Sequence, residues 1–228
     1  MIPGWKVKRE AVRFGQQLRA IPEFFWEPIA QYWHDRAARA GFATYEGALA
    51  QSQKIALILV YQPDGVGAAT IAMCAHLHAR GFAPFVVSNA PLSPQDRVAL
   101  GPVTWRMLER PNFGYDFGGY RDGIGQLLRW NLVPDHLLIF NDSIWFPLSP
   151  DETLLTELEA SSADLTGTIL RERGDELFLE SYCYMIPRAT FLHPAFQAFW
   201  RGLGLTSNKY KVIRRGERGF SRAMIVRP

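Results

Sequence analysis

Asn141, Asp142 and Ser143 follow the apolar run LLIF, so a carboxylate stands where a buried strand is expected to end. A carboxylate is costly to remove from water unless it meets a cation or a hydrogen-bond donor. Asp142 is therefore a candidate catalytic residue and a candidate ligand of a divalent cation such as Mg²⁺ or Mn²⁺. Asn141 and Ser143 are candidates to contact the same ligand. The structural alternative is an aspartate that only caps a turn.

A glycine-rich segment, PNFGYDFGGY, precedes a predicted helix. Gly114 lets the backbone approach a ligand closely, and N–H groups at a helix start attract phosphate. Asn112 and Asp116 are candidates to hydrogen-bond sugar hydroxyls, and Tyr115 or Tyr120 to stack on a ring. The alternative is a tight turn in which the glycines serve only the backbone and Asp116 caps the helix.

Two further strand ends carry polar side chains. Tyr61 and Gln62 follow the first predicted strand and Asn89 follows the second, and all three are candidates for binding a nucleotide donor. A Gly-x-Gly pair after Gln62 suggests dinucleotide binding. However, the third position of that fingerprint is Thr70, and no acid ends the second strand to hold a ribose hydroxyl, so a dehydrogenase is disfavoured.

The last quarter of the chain offers candidates for a general base and for a diphosphate contact. Glu180, in LESYCYMIP, and Glu217, among the basic residues near the end, are candidates to take a proton from an acceptor hydroxyl. Arg218 is a candidate to fold over the diphosphate of the donor and stabilise the leaving charge. The alternative for both glutamates is a structural ion pair.

The composition indicates a globular domain. The chain has 228 residues, 48% hydrophobic and 21% charged, which excludes intrinsic disorder and low-complexity fibres. Its 2 cysteines are far apart in sequence, which excludes a disulfide scaffold and a multi-cysteine zinc site. No run of 18 apolar residues exists to span a membrane, and no apolar h-region follows the first charged residues. We therefore expect a cytoplasmic protein.

Charge is unevenly distributed, although the net charge is only +3. Residues 201–228 contain eight basic residues and one acid, residues 1–40 contain seven and four, and the chain between them is acidic. A basic end on an acidic body predicts an anionic ligand near that end, and a solvated arginine-rich end is the alternative. Because the acidic body would repel a nucleic acid, no nucleic-acid partner is expected.

Strands and helices alternate along residues 51–228. Continuous apolar runs, typical of strands buried on both faces, are followed by helical patterns, which predicts an α/β domain with a mostly parallel sheet and helices on both faces. The predicted strands are 54–62, 82–89, 103–110 and 136–142, with further strands in DLTGTILRE and ELFLESYCYMIP. The predicted helices are 68–81, 93–100, 119–131, 149–161 and 193–203.

The predicted sheet determines where the candidate residues lie. In such a sheet, ligands bind at the carboxyl ends of the strands, where the strand order reverses. The candidate donor-binding residues follow predicted strands, so we expect the glycine-rich segment and Asp142 to meet across one cleft.

Residues 1–50 are predicted to form an N-terminal helical arm, in which Gly41 caps a helix. The arm is rich in aromatic side chains, which favours a peripheral membrane contact, a homodimer contact or packing on its own domain. These aromatic residues are Trp5, Phe24, Phe25, Trp26, Tyr32 and Trp33.

The segment Asn112–Pro147 begins NFGYDFGGYRDGIGQLL and ends LLIFNDSIWFP. With DLTG, FLESYCYMIPRATF, HPAFQAFW and KVIRRGERGFS, it resembles the rhamnan synthesis protein F family over residues 54–225. The resemblance implies a glycosyltransferase of bacterial polysaccharide or lipopolysaccharide assembly. An Asn-x-Gly loop before a strand that ends in an acid is also similar to the GT-A nucleotide-sugar transferases, which implies a GT-A-like single domain.

The resemblance assigns roles to several residues. It implies that Asn112, Gly114 and Asp116 line the donor-sugar pocket, and that Asp142 stands where GT-A enzymes place a metal-binding acid. The usual Asp-x-Asp of those enzymes is here Asn-Asp-Ser, which leaves one carboxylate.

Two functions follow. One is transfer of a sugar, rhamnose among the candidates, from a nucleoside-diphosphate sugar to a glycan or lipid-linked glycan acceptor at the inner face of the cell membrane. The other is a catalytically inactive module that binds glycans or nucleotides within a polysaccharide assembly machinery. Glu217 and Ser221 match a late acidic-and-serine element of the family.

Overall fold

The computed structural model describes residues 25–174 and 176–225. The chain separates into two compact units, one ending at Gly41 and the other starting at Phe42. The first strand of the second unit begins at the next residue, within the range 1–50 that the sequence assigned to the arm. Among the helices of the described residues, none combines the length and apolar character that a membrane crossing requires.

Helix α1 comprises residues 25–40 of the first unit. It ends at Gly41, whose φ of +97° lies in the left-handed region that glycine adopts readily. The backbone N of Gly41 donates to the carbonyl oxygen of Ala37 at 3.1 Å, which confirms the predicted helix cap. Trp5 and Phe24 of the predicted aromatic arm lie outside the described residues.

The second unit is built on a seven-stranded sheet. The strands of this unit, seven in the sheet and two in a separate hairpin, are β1 (Ala43–Glu46), β2 (Lys54–Val60), β3 (Phe82–Ser88), β4 (Arg106–Glu109), β5 (His136–Asn141), β6 (Thr166–Gly167), β7 (Leu170–Arg173), β8 (Glu176–Leu179) and β9 (Cys183–Pro187). The sheet order is β1-β4-β3-β2-β5-β9-β6, and β7 and β8 pair as a separate hairpin. Strands β4, β3, β2 and β5 are mutually parallel, whereas β1, β9 and β6 pair antiparallel with their neighbours.

The apolar runs of the sequence explain the parallel centre. Residues Ile55 to Val60 of β2 are all buried, as is the whole of β3, which is the pattern of strands covered on both faces. Leu57 of β2 lies opposite Phe85 of β3 on one side and Ile139 of β5 on the other. The carboxyl ends of these strands therefore lie along one edge of the sheet.

Helices cover both faces of the sheet, as predicted. They are α2 (Ala68–Ala79), α3 (Pro94–Leu100), α4 (Tyr115–Arg129), α5 (Leu154–Ala160), α6 (Arg188–Leu192), α7 (Pro194–Gly202), α8 (Lys209–Arg215) and α9 (Glu217–Ile225). Helices α2, α3 and α5 pack on the face that carries Ile58. Helices α4, α6, α7, α8 and α9 pack on the face that carries Leu57. The α/β class is confirmed.

Helix α3 begins as the sequence predicts. Ser93 Oγ accepts from the backbone N of Asp96 at 3.1 Å, and Asp96 Oδ2 accepts from the backbone N of Ser93 at 2.9 Å. This capping box, followed by Pro94, satisfies N–H groups that a helix start leaves without partners.

Two helix starts differ from the prediction. Helix α4 begins at Tyr115 and not at residue 119, because the glycine before it takes a left-handed conformation that ends the preceding turn. Helix α5 begins at Leu154 and not at residue 149. Ser149 Oγ accepts from the backbone N of Asp151 at 3.3 Å, so this side chain caps a turn before the helix.

The predicted basic tail folds as helices α8 and α9. Phe220 of α9 is fully buried, with its ring centroid 5.1 Å from that of Trp200 and 5.3 Å from that of Tyr184. Val212 of α8 and Met224 of α9 belong to the same core cluster. These two helices were not predicted from the sequence, because arginines separate their few apolar residues.

Candidate functional site

The strand order reverses between β2 and β5, since the chain places β3 and β4 on one side of β2 and then β5 on the other. Such a switch point opens a crevice at the carboxyl ends of the strands. Asp142 follows β5 there, and its Oδ2 accepts from the backbone N of Tyr61 at 2.9 Å and from Gln62 Nε2 at 3.1 Å. These donors compensate the half-buried carboxylate and fix it across the crevice.

The glycine-rich segment reaches the same crevice. Asn141 is buried, and its Nδ2 donates to Asp116 Oδ2 at 3.0 Å. Ser143 Oγ donates to Asn141 Oδ1 at 2.7 Å, which fixes the orientation of this amide. The structure therefore brings the two distant stretches together, with Asp116 beside Asp142.

Close packing of α4 on the sheet explains the glycines at its start. A Cβ on Gly119 would lie 2.2 Å from Leu59 Cδ1, and a Cβ on Gly118 would lie 2.0 Å from the carbonyl oxygen of Phe113. Gly118 and Gly119 therefore serve close packing at the start of α4. Gly119 lets α4 approach β2, and Gly118 lets the backbone at Phe113 pack against the start of α4.

Gly114 serves the turn between β4 and α4. Its φ is +87°, and a Cβ there would lie 2.9 Å from Leu205 Cδ2. Glycine is therefore required by both the backbone conformation and the packing. Asn112, two residues earlier, has an exposed side chain beside this turn.

Three tyrosines near the crevice differ in exposure. Tyr61 is 54% exposed and Tyr115 is 43% exposed, so both rings are accessible. The hydroxyl of Tyr115 donates to the carbonyl oxygen of Ser207 at 3.2 Å. Tyr120 is completely buried and its hydroxyl donates to the carbonyl oxygen of Ser181 at 2.8 Å. The proposal that Tyr120 stacks on a ligand ring is therefore wrong.

A buried arginine that the sequence analysis missed fixes the β4–α4 turn. Arg110 Nε donates to Asp122 Oδ2 at 2.5 Å, Nη1 to Asn89 Oδ1 at 2.5 Å, and Nη2 to the carbonyl oxygen of Phe113 at 2.6 Å. Burial lowers the pKa of this guanidinium, and the charge of Asp122 opposes the shift. Asn89, a predicted donor-binding residue, thus directs its amide oxygen to Arg110.

Three carboxylates converge at the crevice. Burial is the main reason that the pKa of Asp116 is raised, and the hydrogen bond from Asn141 opposes it. The negative charges of Asp142 and Glu217 raise this pKa further, whereas Lys209 lowers it. Asp116 therefore interacts electrostatically with both Asp142 and Glu217, and we call these three residues the acidic cluster.

The two predicted general bases have different surroundings. Glu217 is the first residue of α9, and its Oε1 accepts from Ser181 Oγ at 2.6 Å and from the backbone N of Ser181 at 3.3 Å. Glu180 instead forms an ion pair with Arg171 of β7, at 2.5 Å from Nε. Glu180 therefore forms the structural ion pair that was the alternative for both glutamates, whereas Glu217 belongs to the acidic cluster.

Comparison with known proteins identifies the family. The family model for Rhamnan synthesis protein F matches residues 85–227, more than half of the chain, and this range includes the acidic cluster. The chain belongs to the rhamnan synthesis protein F family. This membership connects the chain to polysaccharide synthesis.

A curated relative of this family member has no known function. The uncharacterized protein y4gN of Sinorhizobium fredii is 33% identical over 217 residues, covering 94% of this chain and 57% of the relative. The chain therefore spans little more than half the length of this curated relative.

In this rhamnan synthesis protein F family member, the side chains of Arg218 and Ser221 both contact other residues of the protein. Arg218 forms an ion pair with Glu176 of β8, which also pairs with Arg222. Ser221 Oγ accepts from the backbone N of Leu179 at 3.0 Å, so it connects α9 to β8. Both residues attach α9 to the hairpin.

In the loop after β2, the backbone N–H groups of Val66 and Gly67 donate to side chains of the protein. The backbone N of Gly67 donates to Gln62 Oε1 at 2.7 Å, and that of Val66 donates to Asp96 Oδ1 at 2.7 Å. Gln62 also donates to Thr70 Oγ1 at 2.9 Å. Gln62 thus organises this loop and the Asp142 carboxylate at once.

The donor set around Asp142 determines whether a metal ion fits there. Within residues 25–174 and 176–225, no group of three or more His, Cys, Asp or Glu side chains is arranged to hold a metal. The hydrogen bonds from Tyr61 and Gln62 reach Asp142 Oδ2, so these two donors do not occupy Oδ1. Mg²⁺ commonly binds through one or two carboxylates plus substrate phosphates. These residues fit a metal that binds together with a diphosphate.

Proposed function

We propose that this chain is a glycosyltransferase with a GT-A-like domain, which transfers a sugar from a nucleoside diphosphate to a polysaccharide or lipopolysaccharide acceptor. The observation that carries the proposal is the position of Asp142 at the switch point, joined through Asn141 to Asp116. Family membership makes rhamnose the first donor sugar to test. The acceptor is a growing glycan, either free or lipid-linked.

The donor diphosphate lies at the carboxyl edge between β2 and β5. Asp142 would hold a divalent cation at this diphosphate, and such a cation would supply positive charge that stabilises the diphosphate as it leaves. Asp116 accepts a hydrogen bond from a hydroxyl of the donor sugar. The exposed rings of Tyr61 and Tyr115 flank the crevice and stack on the base or the sugar.

Glu217 is the proposed general base. Ser181 orients its carboxylate, and its charge raises the pKa of Asp116, which supports a position near the proposed donor site. The acceptor hydroxyl oxygen attacks the anomeric carbon, the bond between that carbon and the diphosphate oxygen breaks, and the electron pair leaves with the diphosphate. The hydroxyl proton passes to the Glu217 carboxylate.

The first experiment is an assay of Asp142→Asn with a panel of nucleotide sugars, measuring the released nucleoside diphosphate. We expect at least a hundredfold loss of turnover, on the order of what one electrostatic contact to a transition state contributes, with the thermal midpoint little changed. Asp151→Asn, at an exposed turn, is the matched control and should keep full activity. Full activity in Asp142→Asn would remove this residue from the mechanism.

A binding module is the second candidate, because Asn-Asp-Ser replaces the usual pair of carboxylates. Such a module binds the nucleotide in the same crevice but releases no product. Calorimetric titration with nucleoside diphosphates, with and without Mn²⁺, distinguishes the two functions when run beside the turnover assay. Binding that depends on Asp142, without turnover for any donor in the panel, favours the module.

A further inference from the structure

The β7–β8 hairpin, helix α9 and residues 161–167 line an apolar cavity to which the acidic cluster does not contribute. The volume of this cavity is about 470 Å³, within the range of roughly 300–1,000 Å³ that small-molecule sites occupy. Six apolar side chains form most of its lining: Ala163, Leu165, Leu170, Phe178, Leu179 and Met224. The cavity is therefore suited to an apolar ligand.

Hydrogen bonds hold the walls of this cavity in place. The backbone N of Leu179 donates to Ser221 Oγ at 3.0 Å, and its carbonyl oxygen accepts from the Tyr184 hydroxyl at 3.3 Å. In the segment before β6, the carbonyl oxygen of Asp164 accepts from Thr190 Oγ1 at 2.7 Å. The cavity is thus preformed, so a ligand can enter it without first ordering the walls.

Leu170 shows that the cavity is open to the solvent. This side chain lines the cavity and is nevertheless 60% exposed. An apolar group that covers it removes apolar surface from water, which favours binding.

The polar part of the lining indicates what the rest of the ligand carries. Ser161 Oγ and Thr166 Oγ1 lie 2.9 Å apart, so two hydroxyl groups are adjacent there, and Asp164 lies in the same segment. None of the residues that line the cavity, all within the described ranges, is basic. Arginine and lysine are the residues that recognise phosphate and carboxylate groups, whereas Ser, Thr and Asp side chains hydrogen-bond hydroxyl groups. The lining therefore fits an uncharged head that carries hydroxyl groups.

We propose that this cavity binds the hydrocarbon chain of an amphiphile whose uncharged head carries hydroxyl groups, as in an alkyl glycoside. The chain contacts Leu165, Phe178 and Met224, and the head lies at Ser161 and Thr166. This site goes beyond the proposed transferase function, and binding here does not depend on turnover.

The first experiment titrates the full chain with hexyl, heptyl and octyl glucoside below their critical micelle concentrations and measures binding by calorimetry. We expect the affinity to increase about fourfold for each added methylene, as burial of a methylene group in apolar surroundings predicts. Octanoate, which carries a carboxylate head, should bind at least tenfold more weakly than octyl glucoside. An affinity that does not change with chain length, or tighter binding of octanoate, would overturn the proposal.

A charged variant tests whether the chain lies against Leu170. In Leu170→Glu, a bound chain would remove the new carboxylate from water, so we expect at least a tenfold loss of affinity for octyl glucoside. Leu177→Glu is the matched control, because Leu177 is 48% exposed on the same face of the hairpin but is not part of the lining. This control should bind as the wild type does. Equal loss in both variants, or none in Leu170→Glu, would place the chain outside the cavity.

A steric variant tests the same cavity without adding charge. Ala163 is exposed and lines the cavity, so the phenyl ring of Ala163→Phe occupies part of its volume. We expect a severalfold loss of affinity for octyl glucoside and a smaller loss for hexyl glucoside. The thermal midpoint should remain that of the wild type, because the substituted position is exposed. Unchanged binding of octyl glucoside would contradict a chain inside the cavity.

Discussion

Asp116 is held beside two other carboxylates in a position that opposes its ionisation. Burial, Asp142 and Glu217 all raise its pKa above the usual value, and the Asn141 hydrogen bond only partly compensates. A donor that brings hydroxyl groups or a cation into the crevice would relieve this cost. The residue is thus better suited to a bound ligand than to the empty site.

The raised pKa of Asp116 predicts a pH-dependent stability. Between the unfolded value of 3.8 and the higher folded value, the folded chain binds more protons, so this residue's contribution to stability decreases as pH rises through that window. In Asp116→Asn this contribution disappears. The unfolding free energy of the variant relative to the wild type should therefore increase with pH, as measured by urea denaturation.

The control for this titration is Asp151→Asn, whose side chain is exposed. Its unfolding free energy should follow that of the wild type at every pH. A constant difference between Asp116→Asn and the wild type across the same range would contradict the assigned pKa shift.

Arg110 predicts a large loss of stability on truncation. Its side chain is 0% exposed and pairs with Asp122, so Arg110→Ala leaves a buried carboxylate without its cation. We expect a loss of about 3–5 kcal/mol in urea denaturation. Arg173→Ala, at an exposed position of β7, should change stability by less than about 0.5 kcal/mol. A loss as small as this control's would mean that the pair contributes little.

Asp142 and Arg110 show what the sequence reveals about single residues. Asp142 was predictable because a carboxylate directly after an apolar run has few structural explanations. Arg110 was not, because its partners Asn89 and Asp122 lie 21 and 12 residues away in the chain. The role of Glu217 needed the structure too, since only the fold shows which acid meets Ser181.

At the scale of elements, the start of helix α4 depends on glycines that closely approach the preceding turn and the sheet. In Gly118→Ala, the Cβ would lie 2.0 Å from the backbone oxygen of Phe113. We expect a loss of about 1–3 kcal/mol, because the turn before the helix must shift. Activity should fall with it, since the shift displaces Asp116.

Gly125 of the same helix supplies the matched control. A Cβ there would meet no atom within 4 Å, so Gly125→Ala should raise stability by about 0.5–1 kcal/mol through helix propensity alone. Urea denaturation of both variants distinguishes packing from propensity. Destabilisation of equal size at both positions would contradict the packing explanation.

The elements differ in how far the sequence predicts them. Buried strands such as β2 and β3 were found within two residues of their ends, because double-sided burial produces an uninterrupted apolar run. Strand β1 was missed, because it is a mostly exposed edge strand of 4 residues. Helices α8 and α9 were missed because tertiary packing and not periodicity stabilises them.

At the scale of the whole molecule, the two cysteines report on the integrity of the core. Burial raises the pKa of Cys74 and of Cys183 to about 12. Both belong to the core cluster under α2, α3 and α5. We expect both thiols to react with a disulfide reagent at neutral pH only on global unfolding, because the thiolate is the nucleophile.

Measurement of the labelling rate across a urea series checks this expectation. The rate should rise in parallel with the unfolded fraction observed by circular dichroism. Rapid labelling of Cys74 in the absence of urea would show that the α2 layer opens independently of the rest of the sheet.

Strand β9 runs opposite to β5, with Cys183 facing Phe140. Strand β9 therefore begins at the crevice edge of the sheet, whereas the four parallel strands end at that edge. Insertions in the β7–β8 hairpin would leave the register of β2 and β5 unchanged, because this hairpin is a separate sheet that pairs with neither strand.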